Sequence, residues 1–218
     1  MLLSDILIFD ATERLGWLAG RVLADLGADV VKLEPPGADV SRAEWRAFNV
    51  NKRVLAADLG DAADRARVDE LLGAADICLL TPEAAPSGAA LDPEALRRDH
   101  PRLIVVAIRP FGDIGPRRGW KASDIELMAA GGAMALAGEP DGMPVRVSEP
   151  QSYGWAGAQA AVGALVALLK REATGGGDLV DVSAQASVVT ALSHAPAFVD
   201  LVGVTPSRAG AFITGRSI

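Results

Sequence analysis

The residues of this chain best placed to do chemistry are carboxylates at the ends of short apolar runs. Glu34 closes the run Val30-Val31-Lys32-Leu33, and Asp10 follows Ile6-Leu7-Ile8-Phe9. If the runs are parallel strands, both stand on the edge where open sheets bind ligands; the alternative is a turn or capping role. Asn49-Val50-Asn51-Lys52-Arg53 sets two cations beside turn-forming asparagines. That is either a solvated turn or an anion site, with arginine making bidentate contacts and lysine supplying a point charge. Asp124, Glu126 and Glu149 precede Tyr153, the one tyrosine of the chain. His100 and His194 stand beside prolines or Ala-Pro at element ends, where surface and helix-end roles suit them, and Cys78 lies inside an apolar run as a core residue.

Several chemistries are excluded outright. One cysteine and two histidines make neither an internal disulfide nor a Cys/His metal cluster. No phosphate-loop pattern with its lysine occurs, and the turn from Asp10 to Gly16 lacks the dinucleotide fingerprint. No Gly-x-Ser-x-Gly elbow is present. With a net charge of -7, a nucleic-acid partner is not expected, because phosphates need a basic face.

The elements that must position these residues follow from periodicity. The chain has 218 residues, 50% hydrophobic and 22% charged, enough for one large α/β domain or two small ones. Ile6 to Phe9 reads as a strand, Leu15 to Ala28 as a helix stopped at Gly27, and Asp29 to Glu34 as a second strand. Strand, helix and strand in so short a span make a βαβ unit with parallel strands. The alternation continues with strands at 53–58, 76–80 and 103–108 and helices at 61–73 and 92–98. The expected fold is therefore an α/β, open, mostly parallel sheet with helices on both faces. Beyond it, 112–119 reads as a loop, 122–130 as a helix ending at Gly131-Gly132, and 151–173 as a long apolar helix closed by Gly175-Gly176-Gly177. A strand at 179–182 and a helix at 184–194 complete the pattern, and 203–218 has no clear period. The longest uninterrupted apolar run, Ala160 to Leu169, is short for a bilayer span. With no basic leader at Met1 to Asp5, the expectation is a cytoplasmic protein with no membrane partner.

In this order the segments resemble family III CoA-transferases, the carnitine dehydratase and bile-acid-inducible protein group. The resemblance is carried by Leu23-Ala24-Asp25-Leu26-Gly27-Ala28-Asp29-Val30-Val31-Lys32-Leu33-Glu34-Pro35-Pro36-Gly37. It continues through Asn51-Lys52-Arg53, Pro101-Arg102-Leu103-Ile104, Phe111-Gly112 with Gly115-Pro116, Pro144-Val145-Arg146-Val147, and Val180-Asp181-Val182-Ser183. It implies a Rossmann-like large domain, here residues 1–202, with 203–218 a truncated connection towards an absent second, small domain. It also implies CoA or acyl-CoA as substrate, no covalently bound cofactor, no metal, and a homo- or hetero-oligomer with another family III chain.

The resemblance further implies a mechanism. An aspartate attacks the acyl-CoA thioester, forming an anhydride and releasing CoA thiolate. Aligning Pro144-Val145-Arg146-Val147, Pro150 and Gly157 with the family pattern puts Tyr153 at that aspartate. A phenol, with an ordinary pKa of about 10, is scarcely ionised at neutral pH. Asp124, Glu126 and Glu149 are the substitutes within reach in sequence. Nucleotide-facing positions carried over from the family are Glu34, Asn51, Lys52, Arg53, Ala57, Thr81 and Asp124. Three departures fall near them. Glu13-Arg14-Leu15-Gly16-Trp17 fills the first turn, Leu80-Thr81-Pro82 ends a strand, and Ala122-Ser123-Asp124 stands where the family has Gly-Tyr-Asp. Scaffold is kept while chemical residues are altered. The expected function is a subunit of acyl-CoA chemistry that depends on a partner for its nucleophile. The alternatives are an active hydratase, racemase or transferase using a displaced carboxylate, or a non-catalytic CoA-binding domain.

Overall fold

A computed structural model describes residues 2–82, 91–192 and 194–210. Its first half alternates β1 (Leu7–Ala11), α1 (Trp17–Asp25), β2 (Asp29–Glu34), α2 (Ala43–Asn49), β3 (Arg53–Ala56), α3 (Ala62–Ala74), β4 (Ile77–Leu80), α4 (Pro93–Asp99) and β5 (Ile104–Arg109). The second half runs α5 (Asp124–Ala130), α6 (Ala133–Leu136), α7 (Gln151–Thr174), β6 (Leu179–Ser183), α8 (Ala184–Ala191) and α9 (His194–Val202). Local chemistry sets many of the boundaries. Asp61 and Asp92 accept backbone N–H groups at the starts of α3 and α4, and Pro93 follows the latter cap. Ser123 and Glu126 form a reciprocal capping box on α5. Gly175 ends α7 at φ +75°, a left-handed conformation that glycine adopts without steric cost.

The six strands among the described residues are all parallel, in the order β3-β2-β1-β4-β5-β6. This is the doubly wound, Rossmann-like arrangement, and the winding reverses between β1 and β4. Two apolar layers cover the sheet. One packs α1 and α7 through Leu23, Ala156, Ala160 and Ala164 onto Ile8, Ile77 and Ile104. The other packs α3 and α4 through Val68, Leu72 and Leu96 onto Phe9, Cys78 and Val105. Cys78 is fully buried, which pushes its thiol pKa far up.

Helix α7 is 24 residues long, about 36 Å at 1.5 Å per residue. Its buried face is Ala156, Gly157, Ala160, Ala161, Ala164 and Ala167. Small residues let it lie close on α1, where a Cβ on Gly157 would sit 2.7 Å from Leu18 Cβ. The apolar segment is thus longer than the uninterrupted run suggests, and α7 is the one described helix long and apolar enough to cross a membrane. In this fold half of it is spent as the inner layer.

The structure differs from expectation at a few places. Helix α2 occupies the stretch before Val50, which carries no apolar stripe: Asn49 is its one buried residue. The last helix breaks at 191, and His194 opens α9 rather than closing α8. Residues 211–218 of the expected connection lie outside the described residues.

Candidate functional site

In sheets of this topology ligands bind outside the carboxyl ends of the strands, where the winding reverses. That point here is a cleft of about 260 Å³. Glu13, Arg14 and Leu15 enter it from the end of β1, Thr81 from β4, and Ile108 and Pro110 from β5. Lys121, Ala122 and Tyr153 close it from the loop before α5 and from the first turn of α7. Larger hollows of about 460 and 610 Å³ flank α7, at its β6 side and near Leu2 and Leu3. Neither lies at the winding reversal.

Thr81 holds the cleft's first wall, its buried hydroxyl oxygen accepting the Glu13 backbone N–H at 2.9 Å. Burial raises the Glu13 carboxyl above the ordinary glutamate value, with Glu34 adding to the effect and Lys32 opposing it. Arg14 pairs with Glu44 of α2 and lies over the Tyr153 ring, 5.8 Å from its centroid. Burial also raises the Tyr153 phenol above its ordinary value of 10.0; Arg14 pulls the other way and Asp124 adds to the rise. The phenol is therefore neutral at physiological pH.

Beneath the cleft lies a buried charge cluster. Asp10 and Lys52 form an ion pair at 2.8 Å with both side chains 0% exposed. Lys52 Nζ also donates to Trp17 O at 2.9 Å and Asn49 Oδ1 at 2.8 Å. Three acceptors use three N–H groups, which only the ammonium form possesses. Burial pushes Asp10 up, but Lys52, Lys32 and Thr12 outweigh it and leave the carboxyl below 3.8. Gly20 of α1 covers the pair: a Cβ there would lie 2.2 Å from Asp10 Oδ2. Next to it, fully buried Lys32 donates to the Thr12 and Leu33 carbonyls at 2.8 Å and sits 3.4 Å from Glu34. Glu34 in turn accepts the Trp45 indole N–H at 2.7 Å.

Asp124 is also engaged. Its Oδ1 accepts the Ser152 backbone N–H at 3.0 Å and the Ser152 hydroxyl at 2.7 Å, while Oδ2 faces Arg146 at 3.3 Å. It thus caps the first turn of α7 from another element. Glu149 is exposed in the preceding loop.

Of the residues singled out in the sequence, Thr81 and Tyr153 meet in the cleft. Glu34 and Lys52 lie in the charge cluster beneath it, and Ala57 is buried with its N–H on the Glu34 carbonyl. Asn51 and Arg53 stand apart, at the amino ends of the strands. There Arg53 clasps Asp29 with two hydrogen bonds of 2.8 and 2.6 Å, and Asn51, at φ +67°, donates to Asp25. Lys52 points inward and Arg53 outward, so the two neighbouring cations do not form one anion cradle. Glu13 and Lys121 were not singled out as site residues. Glu13 had a usable signal, its place directly after the first strand; Lys121 lies in an aperiodic loop and had none.

The chain belongs to CoA-transferase family III, whose model matches residues 3–213. It is 35% identical over 214 residues to subunit BbsE of succinyl-CoA:(R)-benzylsuccinate CoA-transferase from Thauera aromatica, covering 90% of this chain and 52% of BbsE. It is 33% identical to succinyl-CoA:mesaconate CoA-transferase of Haloarcula hispanica, covering 95% of this chain and 58% of that enzyme. It is 38% identical to the probable CoA-transferase Rv1866 of Mycobacterium tuberculosis, covering 79% of this chain and 23% of that protein. A CAIB/BAIF family protein from Brucella suis superposes with a TM-score of 0.87 at 27% identity, over 95% of this chain and 59% of the other. The chain spans about half the length of most of these relatives.

Proposed function

We propose that this chain is an acyl-CoA-binding unit of a family III CoA-transferase that has no nucleophile of its own and works with a partner chain. The observation that carries the reading is the first turn of α7. Tyr153 stands there as a neutral phenol facing the switch-point cleft. Of the substitute carboxylates offered by the sequence, Asp124 has both oxygens engaged in holding that same turn. An attacking carboxylate needs a free lone pair aimed at the thioester carbon. In this reading the partner supplies it, the anhydride forms there, and CoA leaves as thiolate.

The relatives support a paired arrangement. BbsE is named as a subunit. The matched segment is 23% of Rv1866 against 52% of BbsE, so Rv1866 is about twice as long as BbsE, long enough for two such units in one polypeptide. Among the nucleotide-facing positions, Thr81 lines the cleft with its hydroxyl engaged by the Glu13 backbone N–H, and we assign it to shaping the cleft wall. Lys52 and Glu34 we assign to holding the β1 and β2 ends in place, because their polar atoms are already used.

Calorimetric titration of CoA into the chain tests the reading. Micromolar binding supports an acyl-CoA unit, and its absence in the chain alone and with a family III partner overturns it.

A further inference from the structure

We propose that the hollow at the amino end of the sheet is a docking surface for an amphipathic helix of a different protein chain, one whose apolar stripe is flanked by lysines or arginines. The inference goes beyond the acyl-CoA reading and does not depend on it. Asp5 and Ile6 precede β1, Asp76 precedes β4, and the last turns of α7 stand beside them. The hollow, of about 610 Å³, therefore lies at the opposite end of the strands from the cleft. Its α7 wall is Leu165, Leu168, Leu169 and Glu172. These are the i, i+3, i+4 and i+7 positions of one helix face. Leu165 and Leu168 are half-buried against the core, while Leu169 is 67% exposed. Leu3 and Ile6 continue the apolar floor, and Leu2 is 75% exposed at its edge.

The charges around this floor select its occupant. Arg171 is spent: it donates to the Asp76 carboxylate at 2.7 Å and to the Asp76 and Arg102 carbonyls at 3.3 Å. The Asp5 and Glu172 carboxylates are exposed and, among the described residues, make no hydrogen bond or ion pair. Glu172 stands in the last turn of α7, where the free carbonyls of a helix end add negative charge. Leucines rimmed by unpaired carboxylates complement apolar side chains flanked by cations, the pattern of a helix docked in a groove. A second copy of this chain is disfavoured, because two-fold contact sets one patch on itself and would bring carboxylate against carboxylate. The net charge of -7 opposes self-association further. A fatty acid or an anionic lipid surface would meet the same repulsion. Sites for small ligands bury roughly 70–90% of the ligand's surface, whereas exposed Leu2 and Leu169 leave this hollow open.

The probe is a fluorescein-labelled helical peptide of about 18 residues, or about five turns, with leucines on one stripe and lysines on both flanks. Fluorescence anisotropy follows its binding to the native chain, to Leu169→Lys, and to the Asp5→Lys, Glu172→Lys double variant. All three positions are exposed, so the substitutions leave the fold intact, which circular dichroism checks. The native chain is expected to bind with a Kd on the order of tens of micromolar. Leu169→Lys weakens binding about tenfold, by placing a charge in the apolar stripe. The double variant weakens it by a similar factor of about ten and prefers a matched peptide with glutamates in place of the lysines. No binding by the native chain at about 1 mM peptide overturns the inference, as does equal binding of a scrambled peptide of the same composition. Undiminished binding by Leu169→Lys also overturns it, as does a double variant that ranks the two peptides as the native chain does. Sedimentation of the chain alone and with phosphatidylcholine vesicles examines the other occupants. Self-association or vesicle binding that Leu169→Lys abolishes would give this face to a second copy or to a membrane and overturn the inference.

Discussion

Replacing Lys52 by Met tests whether this lysine is an internal strut or a ligand for phosphate. The structure makes the cost large. Lys52 joins Asp10, the Trp17 carbonyl and Asn49, with both charged side chains 0% exposed. Methionine preserves the length and apolar stem but leaves Asp10 ionised and buried, with Thr12 and the more distant Lys32 as its remaining support. Removing one partner of a buried pair costs about 3–5 kcal/mol, a large part of the roughly 5–15 kcal/mol that holds a domain folded. With a urea slope of about 3 kcal/mol/M, the unfolding midpoint falls by roughly 1–1.7 M. Changing Asp10 to Val in the same chain recovers part of the loss, because exchanging the whole pair for apolar groups is close to neutral. A midpoint within about 0.3 M of the native value, together with weakened CoA binding, would refute the strut and make Lys52 a phosphate ligand.

Two glycine substitutions should part in sign. Gly177→Ala puts a Cβ 2.1 Å from the Leu103 carbonyl oxygen and lowers the melting temperature or abolishes folding. Gly154→Ala, on α7 with nothing within 4 Å, stabilises by about 0.5–1 kcal/mol through helix propensity. Ultraviolet titration of the single tyrosine should give a phenolate midpoint above 10.0, because burial raises it; a midpoint below 10.0 would restore Tyr153 as a candidate nucleophile. Asp10 is held below its ordinary value of 3.8, so its contribution to stability is complete above that pH and is lost as pH falls through the lower folded value. Urea midpoints measured downward from pH 5 should therefore drop more steeply in the native chain than in the Asp10→Val, Lys52→Met double variant.

The sheet was legible because its strands are short apolar runs separated by capped helices. Asp29 to Glu34 coincides with β2 and Asp92 with the cap of α4. Helix α2 was not legible, since it is seven residues long with a single buried residue and no side-chain cap. The Asn49 to Arg53 stretch shows the limit of reading charge from sequence. Two adjacent cations beside asparagines suggest one anion site, yet the backbone sends Lys52 under α1 and Arg53 out to Asp29. That separation depends on Gly20, distant in sequence, leaving room for the Asp10–Lys52 pair. The cleft was half legible. Tyr153 and Thr81 came from motif positions, whereas Lys121 is placed by a loop rich in glycine and proline that has no period to read.

The most direct test of the central claim is a burst assay for free CoA thiol. The chain is mixed with acyl-CoA at equimolar concentration and the released thiol followed colorimetrically, with intact mass read in parallel. Cys78, the one cysteine, is fully buried, so the folded chain adds no background. The account predicts no burst and no mass increment from the native chain alone. A burst stoichiometric with protein, accompanied by the mass of an acyl group on the chain, would show that it carries its own nucleophile and would contradict the account.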